Sequence, residues 1–157
     1  MIIPVQLKQL RPNAIKPKYA TEGAAGMDLH ACIDSPITLT TGVPSVLIPT
    51  GFAAHVADSN VAFFIIPRSG LGHKQGAVLG NGTGLIDSDY QGEIMVSLCV
   101  RAGHGPVTIN PGDRIAQIVF FPVIKVEFVD VEEFGVITVR GDGGFGSTGV
   151  GHGTTNQ

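Results

Sequence analysis

The chain has 157 residues and a formal net charge of −3, with 43 % apolar and only 15 % charged residues. This length predicts one domain, and the lack of a basic stripe argues against a nucleic-acid partner. The two cysteines cannot make a disulfide framework, no apolar stretch approaches the ~20 residues of a membrane span, and residues 1–10 lack a signal-peptide layout. We therefore expect a reduced, cytoplasmic protein, and the scarcity of charge favours faces buried between subunits.

Short β-branched apolar runs bounded by turn residues predict an all-β sandwich or closed barrel. The runs are Ser45–Pro49, Val61–Pro67, Glu93–Val100 and Arg114–Val131. Turn residues punctuate them, for instance at 58–60, 80–82 and 110–113. One helical turn is expected after Arg68.

Two short segments carry the first candidate site residues. In Ala24–Leu29, small residues precede Asp28, which is expected just before a strand. In Pro67–Leu71, Arg68 and Ser69 follow an apolar run, so they stand where a strand ends. Arginine, serine and backbone N–H groups at such a turn can grip a phosphate, although a solvated arginine at a strand end is the plainer interpretation.

The glycine-rich segment Gly80–Gly92 predicts a tight hairpin whose backbone can approach a planar ligand. Asp87 and Tyr90 lie just beyond the turn. A carboxylate there could polarise a water, and an aromatic ring could pack on a sugar. An ordinary hairpin with turn-favouring aspartates explains the same residues equally well.

The segment Pro111–Gln117 leads from a turn into the most apolar run of the chain. Arg114 and Gln117 are polar residues at its start, and burying them unpaired would cost on the order of 1–3 kcal/mol each. They therefore need partners. A ligand phosphate, another subunit, or an internal ion pair with Asp113 or Glu93 would each satisfy them.

The end of the chain differs in composition from the rest. Seven of the thirteen residues from Gly141 to Gly153 are glycine, with Phe145 among the thirteen and Arg140 directly before them. Such a segment is typical of a flexible tail. A tail that orders over a ligand is the competing interpretation.

These five segments, in order, resemble the five motifs of the trimeric dUTPase family. The motifs correspond to Ala24–Leu29, Pro67–Leu71, Gly80–Glu93, Gly112–Gln117 and Arg140–Gly149. The resemblance implies a jelly-roll-like β-barrel over residues 1–139, with a flexible Gly-rich arm over residues 140–157 that closes over the site. It also implies a homotrimer with active sites at subunit interfaces, and hydrolysis of dUTP to dUMP and pyrophosphate with Mg²⁺. Gly82 and Thr83 depart from the pattern, since they replace a more usual apolar pair.

The same resemblance implies a role for each site residue. Asp87 would be the general base that deprotonates the attacking water, and Tyr90 would pack on the deoxyribose and exclude a 2′-hydroxyl. Asp28 would contact Mg²⁺ indirectly, through water. The other expected substrate contacts are Arg68, Ser69, Gly70 and Gln117 for the phosphates, Asn81, Gly84, Leu85, Ile86 and Met95 for uracil, and Arg140, Phe145, Gly146, Ser147 and Thr148 in the closing arm.

Two other functions compete with this hypothesis. A dCTP deaminase shares the barrel, but it would need a catalytic glutamate near the position that Ser97 occupies. A non-catalytic nucleotide-binding barrel of the same ancestry would be expected to have lost Asp87, Tyr90 or the tail motif, all of which are present.

Overall fold

The computed structural model describes residues 2–143, and the all-β prediction is confirmed over this range. Ten strands and one five-residue helical turn, Leu71–Gln75, make up its regular structure. The strands are β1 Gln6–Gln9, β2 Met27–His30, β3 Ile37–Leu39, β4 Val46–His55, β5 Val61–Pro67, β6 Ala77–Leu79, β7 Gly84–Ile86, β8 Glu93–Val100, β9 Val107–Ile109 and β10 Arg114–Pro122.

Two four-stranded antiparallel sheets make up the body of residues 2–125. One sheet has the strand order β1-β4-β8-β6 and the other β2-β10-β5-β7, while β3 and β9 form a separate pair. Strands that are neighbours in a sheet are mostly distant in sequence, as expected of a jelly-roll-like arrangement.

The core lies on the inward faces of the strands. Along β8 the side chains alternate strictly, with Ile94, Val96, Leu98 and Val100 buried and the residues between them half-buried. This period of two is the pattern of a strand with one face on the core. Phe63 of β5 is fully buried and packs against Phe120 of β10, with ring centroids 5.1 Å apart. The inward faces therefore fix which polar side chains remain outside, where a site can form.

A register shift in β4 bends the strand between Pro49 and Ala53. Gly51 lies at this irregularity with a φ of 79°, and a Cβ there would meet the Cys32 sulfur at 2.9 Å. Only glycine adopts this left-handed conformation at low cost. The bulge brings the Gly51 N–H to the Glu93 carboxylate at the start of β8, at 3.0 Å.

Two sequence predictions of local structure were wrong. The apolar run from Arg114 to Val131 is not one strand, because β10 ends at Pro122, whose ring has no N–H for a ladder bond. The glycine-rich turn does not close a hairpin either. β6 pairs with β8, while β7 pairs with β5 in the other sheet, so the turn is an arch between two sheets. In contrast, the predicted bounds of β5 and β8 and the helical turn after Arg68 are confirmed.

Residues 126–143 belong to a second compact unit, distinct from the body. This described segment contains turns and bends but no strand or helix. Many of its apolar side chains are exposed, among them Phe128, Phe134 and Ile137. The predicted division between residues 139 and 140 stays a prediction. Over the residues described, no helix has the length and apolar character that crossing a membrane requires.

Candidate active site

An ion-paired cluster lies at one end of the β2-β10-β5-β7 sheet. The Arg68 Nε donates to Asp28 Oδ1 at 2.9 Å, and Arg114 Nη1 donates to Asp28 Oδ2 at 3.3 Å. The Asp28 side chain is 15 % exposed, against 27 % for Arg68 and 55 % for Arg114. One carboxylate thus holds two guanidinium groups, and the cluster keeps a net positive charge suited to an anion.

The strands explain why these residues meet. Asp28 of β2 lies opposite Gln117 of β10, and Gln117 lies opposite Ile66 of β5. Arg68 follows β5 directly, as the sequence predicted. Asp28, however, was expected just before a strand and instead lies within β2. Its backbone is fixed by hydrogen bonding between β2 and β10, which limits the movement of the carboxylate.

The cluster opens onto a cleft of about 350 Å³. Arg68 and Arg114 line one part of it, and the polar side chains of Thr108, Asn110 and Asp113 line another. Asp113 accepts hydrogen bonds from the backbone and side-chain N–H groups of Asn110. It does not pair with Arg114, so the internal partner suggested from the sequence was wrong and Asp28 takes that place. Ser69 and Gly70, the other predicted phosphate contacts, are exposed at the start of the helical turn.

His30, next to this cluster on β2, has a buried Nδ1 atom with no hydrogen-bond partner in the described residues. Burial lowers the pKa of His30 below its usual value, and Arg114 and Arg68 lower it further, while Asp28 opposes the shift. The neutral form is therefore favoured beside the two arginines, and the histidine adds no positive charge to the cluster.

The segment predicted to bind uracil lies at two open sheet edges. Asn81 is exposed in the arch between β6 and β7. Each of these strands is the last strand of its sheet. An edge strand presents backbone N–H and C=O groups that are unpaired within the sheet. The backbone of Gly84–Ile86 can therefore offer the hydrogen bonds that recognise the edge of a base.

Asp87 and Tyr90 come directly after this edge. Asp87 is the first residue after β7 and is exposed, and Tyr90 is 41 % exposed. The Tyr90 hydroxyl donates to the Glu93 carbonyl oxygen at 3.1 Å. Met95 is half-buried on β8 and faces the same way as Ser97, whose carbonyl accepts from the Gly80 N–H. Asp87 and Tyr90, predicted to act on the water and the sugar, thus follow edge strand β7, whereas Met95, predicted to contact uracil, lies on the interior strand β8.

The ion-paired cluster and the segment that carries Asp87 lie at different levels of β5 within one chain. Ile86, just before Asp87, pairs with Phe63 of β5, whereas Arg68 lies five residues further along. At ~3.3 Å per residue, that separates the two levels by about 16 Å along the strand. Within one copy of the chain, the backbone segments that carry Asp87 and Arg68 therefore lie near opposite ends of β5.

Sequence reasoning missed an ion pair beside Tyr90. Arg11 and Glu93 form a two-pronged pair, Nε to Oε1 at 2.7 Å and Nη2 to Oε2 at 3.1 Å. The hydrogen bond from Arg11 holds the pKa of Glu93 below its usual range, and the Gly51 N–H contributes in the same direction. The same hydrogen bond raises the pKa of Arg11. No spacing signal could reveal partners 82 residues apart.

Of the predicted contacts of the arm, only Arg140 lies within the described residues. Arg140 is exposed, and its Nε donates to the Gly143 carbonyl at 2.8 Å. Phe145, Gly146, Ser147 and Thr148 lie outside the described residues. Among residues 2–143, no group of three His, Cys, Asp or Glu side chains could hold a metal directly.

Comparisons with known proteins agree with the all-β fold and with the cluster of motifs. The family model described as dUTPase matches residues 12–149. A deoxyuridine 5'-triphosphate nucleotidohydrolase from Cronobacter sakazakii is 58 % identical over 133 residues, covering 85 % of this chain and 86 % of that protein. A relative with the same name from Coxiella burnetii is 59 % identical over 142 residues, covering 90 % and 91 %.

Solved structures of dUTPases have a similar fold. The dUTPase of Staphylococcus bacteriophage 80alpha with dUPNHPP has a TM-score of 0.81 at 26 % identity, covering 94 % of this chain and 99 % of its own. A dUTPase of phage phi11 of S. aureus, in a structure concerned with a structural Mg(II) ion, has a TM-score of 0.71 at 24 % identity, covering 85 % and 99 %. The fold and site define a jelly-roll-like nucleotide-binding barrel. This chain belongs to the dUTPase family.

Proposed function

We propose that this protein hydrolyses dUTP to dUMP and pyrophosphate, which limits uracil incorporation into DNA and supplies dUMP for dTMP synthesis. The observation that carries the proposal is the identity of 58–59 % to deoxyuridine 5'-triphosphate nucleotidohydrolases over 85–90 % of the chain. A deaminase and a non-catalytic barrel are not favoured by these relatives. A cytoplasmic location stays a prediction.

The active site is shared between copies of the chain in a homotrimer. The separation of about 16 Å along β5 between the levels of Ile86, which directly precedes Asp87, and Arg68 supports this arrangement. A triphosphate held at Arg68 would meet Asp87 only if a neighbouring copy supplied one of them. The low charged fraction of 15 % is consistent with large faces buried between subunits.

Uracil binds at the open edge of β7, where the backbone of Gly84–Ile86 and the side chain of Asn81 in the arch recognise its polar edge. Met95 lines the same pocket. The Tyr90 ring packs on the deoxyribose, and its hydroxyl is already anchored to Glu93. A ring fixed in this way leaves no room for a 2′-hydroxyl, so dUTP is preferred to UTP.

The triphosphate is held by Arg68, Ser69, Gly70 and Gln117. Charge-assisted hydrogen bonds from a few arginines contribute roughly 1.5–3 kcal/mol each, so a chain of net negative charge can still bind a polyanion. Asp87 accepts the proton of the attacking water as it adds to the α-phosphorus, and pyrophosphate leaves. Most of the barrier is lowered by stabilising the charge of the transferring phosphoryl group.

Mg²⁺ fits this site as an ion carried by the substrate. Both Asp28 oxygens bond to arginines, and Mg²⁺ in nucleotide sites keeps several waters and uses one or two carboxylates with the phosphates. Asp28 would therefore orient waters of the ion. The ion neutralises phosphate charge when bound. The arm from Arg140 to Thr148, with Phe145 over the base, closes the site and excludes water.

The proposal is tested by pyrophosphate release from dUTP with Mg²⁺, beside dCTP, dTTP and UTP. We expect release from dUTP alone. Asp87→Asn should keep nucleotide binding and lose most turnover, because the amide cannot accept a proton. Asp89→Asn, an exposed neighbour in the same turn, is the matched control. Ammonia from dCTP, no product from any of the four nucleotides, or full turnover by Asp87→Asn would each contradict the proposal.

A further inference from the structure

The hydroxyl end of the Tyr90 ring lies against the backbone of Gly92 and Glu93, where β8 begins. Its hydroxyl donates to the Glu93 carbonyl oxygen. A Cβ added at Gly92 would overlap the Tyr90 hydroxyl and ring, so the ring lies directly over that glycine. The position of Tyr90 therefore depends on where the backbone of residues 92–93 lies.

That backbone is fixed in turn by the Glu93 side chain. Its carboxylate accepts two hydrogen bonds from Arg11 and one from the Gly51 N–H. Arg11 belongs to the segment after β1, and Gly51 lies in the β4 bulge, so one side chain joins three parts of the sheet. The Glu93 side chain is 19 % exposed, and a carboxylate with three donors in such a setting has little freedom to move.

We propose that the Arg11–Glu93 ion pair positions Tyr90 and thereby sets how strongly the site rejects a ribonucleotide. This inference rests on the proposed function, since it concerns the 2′-position of the substrate of that same site. Neither side chain is placed against the substrate, so both are positioning residues. The effect passes through the Glu93 backbone, which carries the acceptor of the Tyr90 hydroxyl.

The alternative is that the ion pair only stabilises the β4–β8 pairing. Thr50→Val separates the two explanations. Thr50 is buried on β4, and its hydroxyl donates to the Ile94 carbonyl at 2.8 Å. Replacing it loosens the same two strands at the neighbouring residue without touching the anchor of Tyr90. Glu93→Ala and Thr50→Val therefore form a matched pair.

The first measurement is kcat/KM for dUTP and for UTP in the wild type and both variants, with a melting curve for each. A site that rejects an added hydroxyl by shape alone discriminates by about 100-fold, so we expect Glu93→Ala to lower the dUTP/UTP ratio by about tenfold. Thr50→Val should leave the ratio unchanged even if it melts lower. An unchanged ratio in Glu93→Ala, or an equal fall in both variants, overturns the proposal.

Two further variants keep the test decisive if Glu93→Ala folds poorly. Glu93→Gln retains an oxygen for the Gly51 N–H but weakens the pair with Arg11, so it should show a smaller fall in the ratio. Arg11→Ala should lower the ratio as well. Combined with Glu93→Ala it should add little, because both changes break one interaction. Full additivity would mean that the residues act separately and the pair does not position Tyr90.

A second readout needs no enzymatic activity. The chain has two tyrosines and no tryptophan, so Tyr90 is the only tyrosine in a Tyr19→Phe background. Acrylamide quenching of its fluorescence should rise when Glu93→Ala is added, and not when Thr50→Val is added. If the wild type released no pyrophosphate from dUTP, the proposed function would fail while this readout still decided whether the pair holds the ring. Unchanged quenching in Glu93→Ala overturns the inference by itself.

Discussion

Asp28→Asn is the sharpest test of the ion-paired cluster. The change keeps the size of the side chain and removes its charge. Asparagine can still accept from Arg68 through one oxygen, but its amide N–H₂ then faces the Arg114 guanidinium, a donor opposite a donor. The two arginines are also left facing each other without a carboxylate between them.

The expected loss of stability follows from the two hydrogen bonds that Asp28 accepts from the arginines. The Arg68 bond is charge-assisted and partly buried, which corresponds to about 1.5–3 kcal/mol, of which the neutral amide retains part. The Arg114 bond is long and its side chain is half exposed, so it contributes about 0–1 kcal/mol. We expect a loss of about 2 kcal/mol in the free energy of unfolding. For a chain of this length that lowers Tm by about 4–8 °C.

The assay is thermal unfolding at one fixed protein concentration, because association raises Tm by mass action. Asp58→Asn is the control. Asp58 Oδ1 also accepts two hydrogen bonds, from the backbone and side-chain N–H groups of Asn60, but it has no arginine partner. It should shift Tm by no more than about 2 °C. If Asp28→Asn melted together with Asp58→Asn, the carboxylate would not be holding the two arginines.

Three further predictions concern the bulge, pH and the arm. Gly51→Ala should lower the free energy of unfolding in urea by about 3 kcal/mol, because alanine is strained at a left-handed φ and its Cβ overlaps neighbouring atoms. Gly42→Ala is the control, since Gly42 has a φ of 77° and no atom near its Cβ position; equal losses in the two variants would contradict the overlap. The ion pair lowers the pKa of Glu93 in the folded state, so its stabilisation is complete above the usual value of about 4.5 and is lost as pH falls through the folded pKa. Below about pH 4.5 the urea midpoint of Glu93→Gln should therefore fall less steeply than that of the wild type, and parallel profiles would contradict this. A chain that stops at Val139 should keep its Tm and lose most turnover, one that stops at Gly149 should keep both, and a lower Tm for the shorter chain would make the arm structural.

The sequence determined the fold class and the chemistry of the motifs. Period-two alternation and turn residues are local properties, so β5 and β8 could be predicted to the residue. The motif pattern identified the residue types that a nucleotide site needs, and Arg68 was correctly expected at the end of a strand.

Only the tertiary structure decided which residues meet. Asp28 and Arg114 are 86 positions apart, and Arg11 and Glu93 are 82 apart, so each pairing depends on strand order rather than on sequence spacing. The arch between β6 and β7 is another case, since a glycine-rich turn has the same local signal whether its flanking strands pair together or join separate sheets. The pairing of β7 with β5 also sets Asp87, which follows β7, and Arg68, which follows β5, at different heights in the sheet. Local sequence preferences do not encode this pairing, because side-chain period and turn chemistry act over only a few residues.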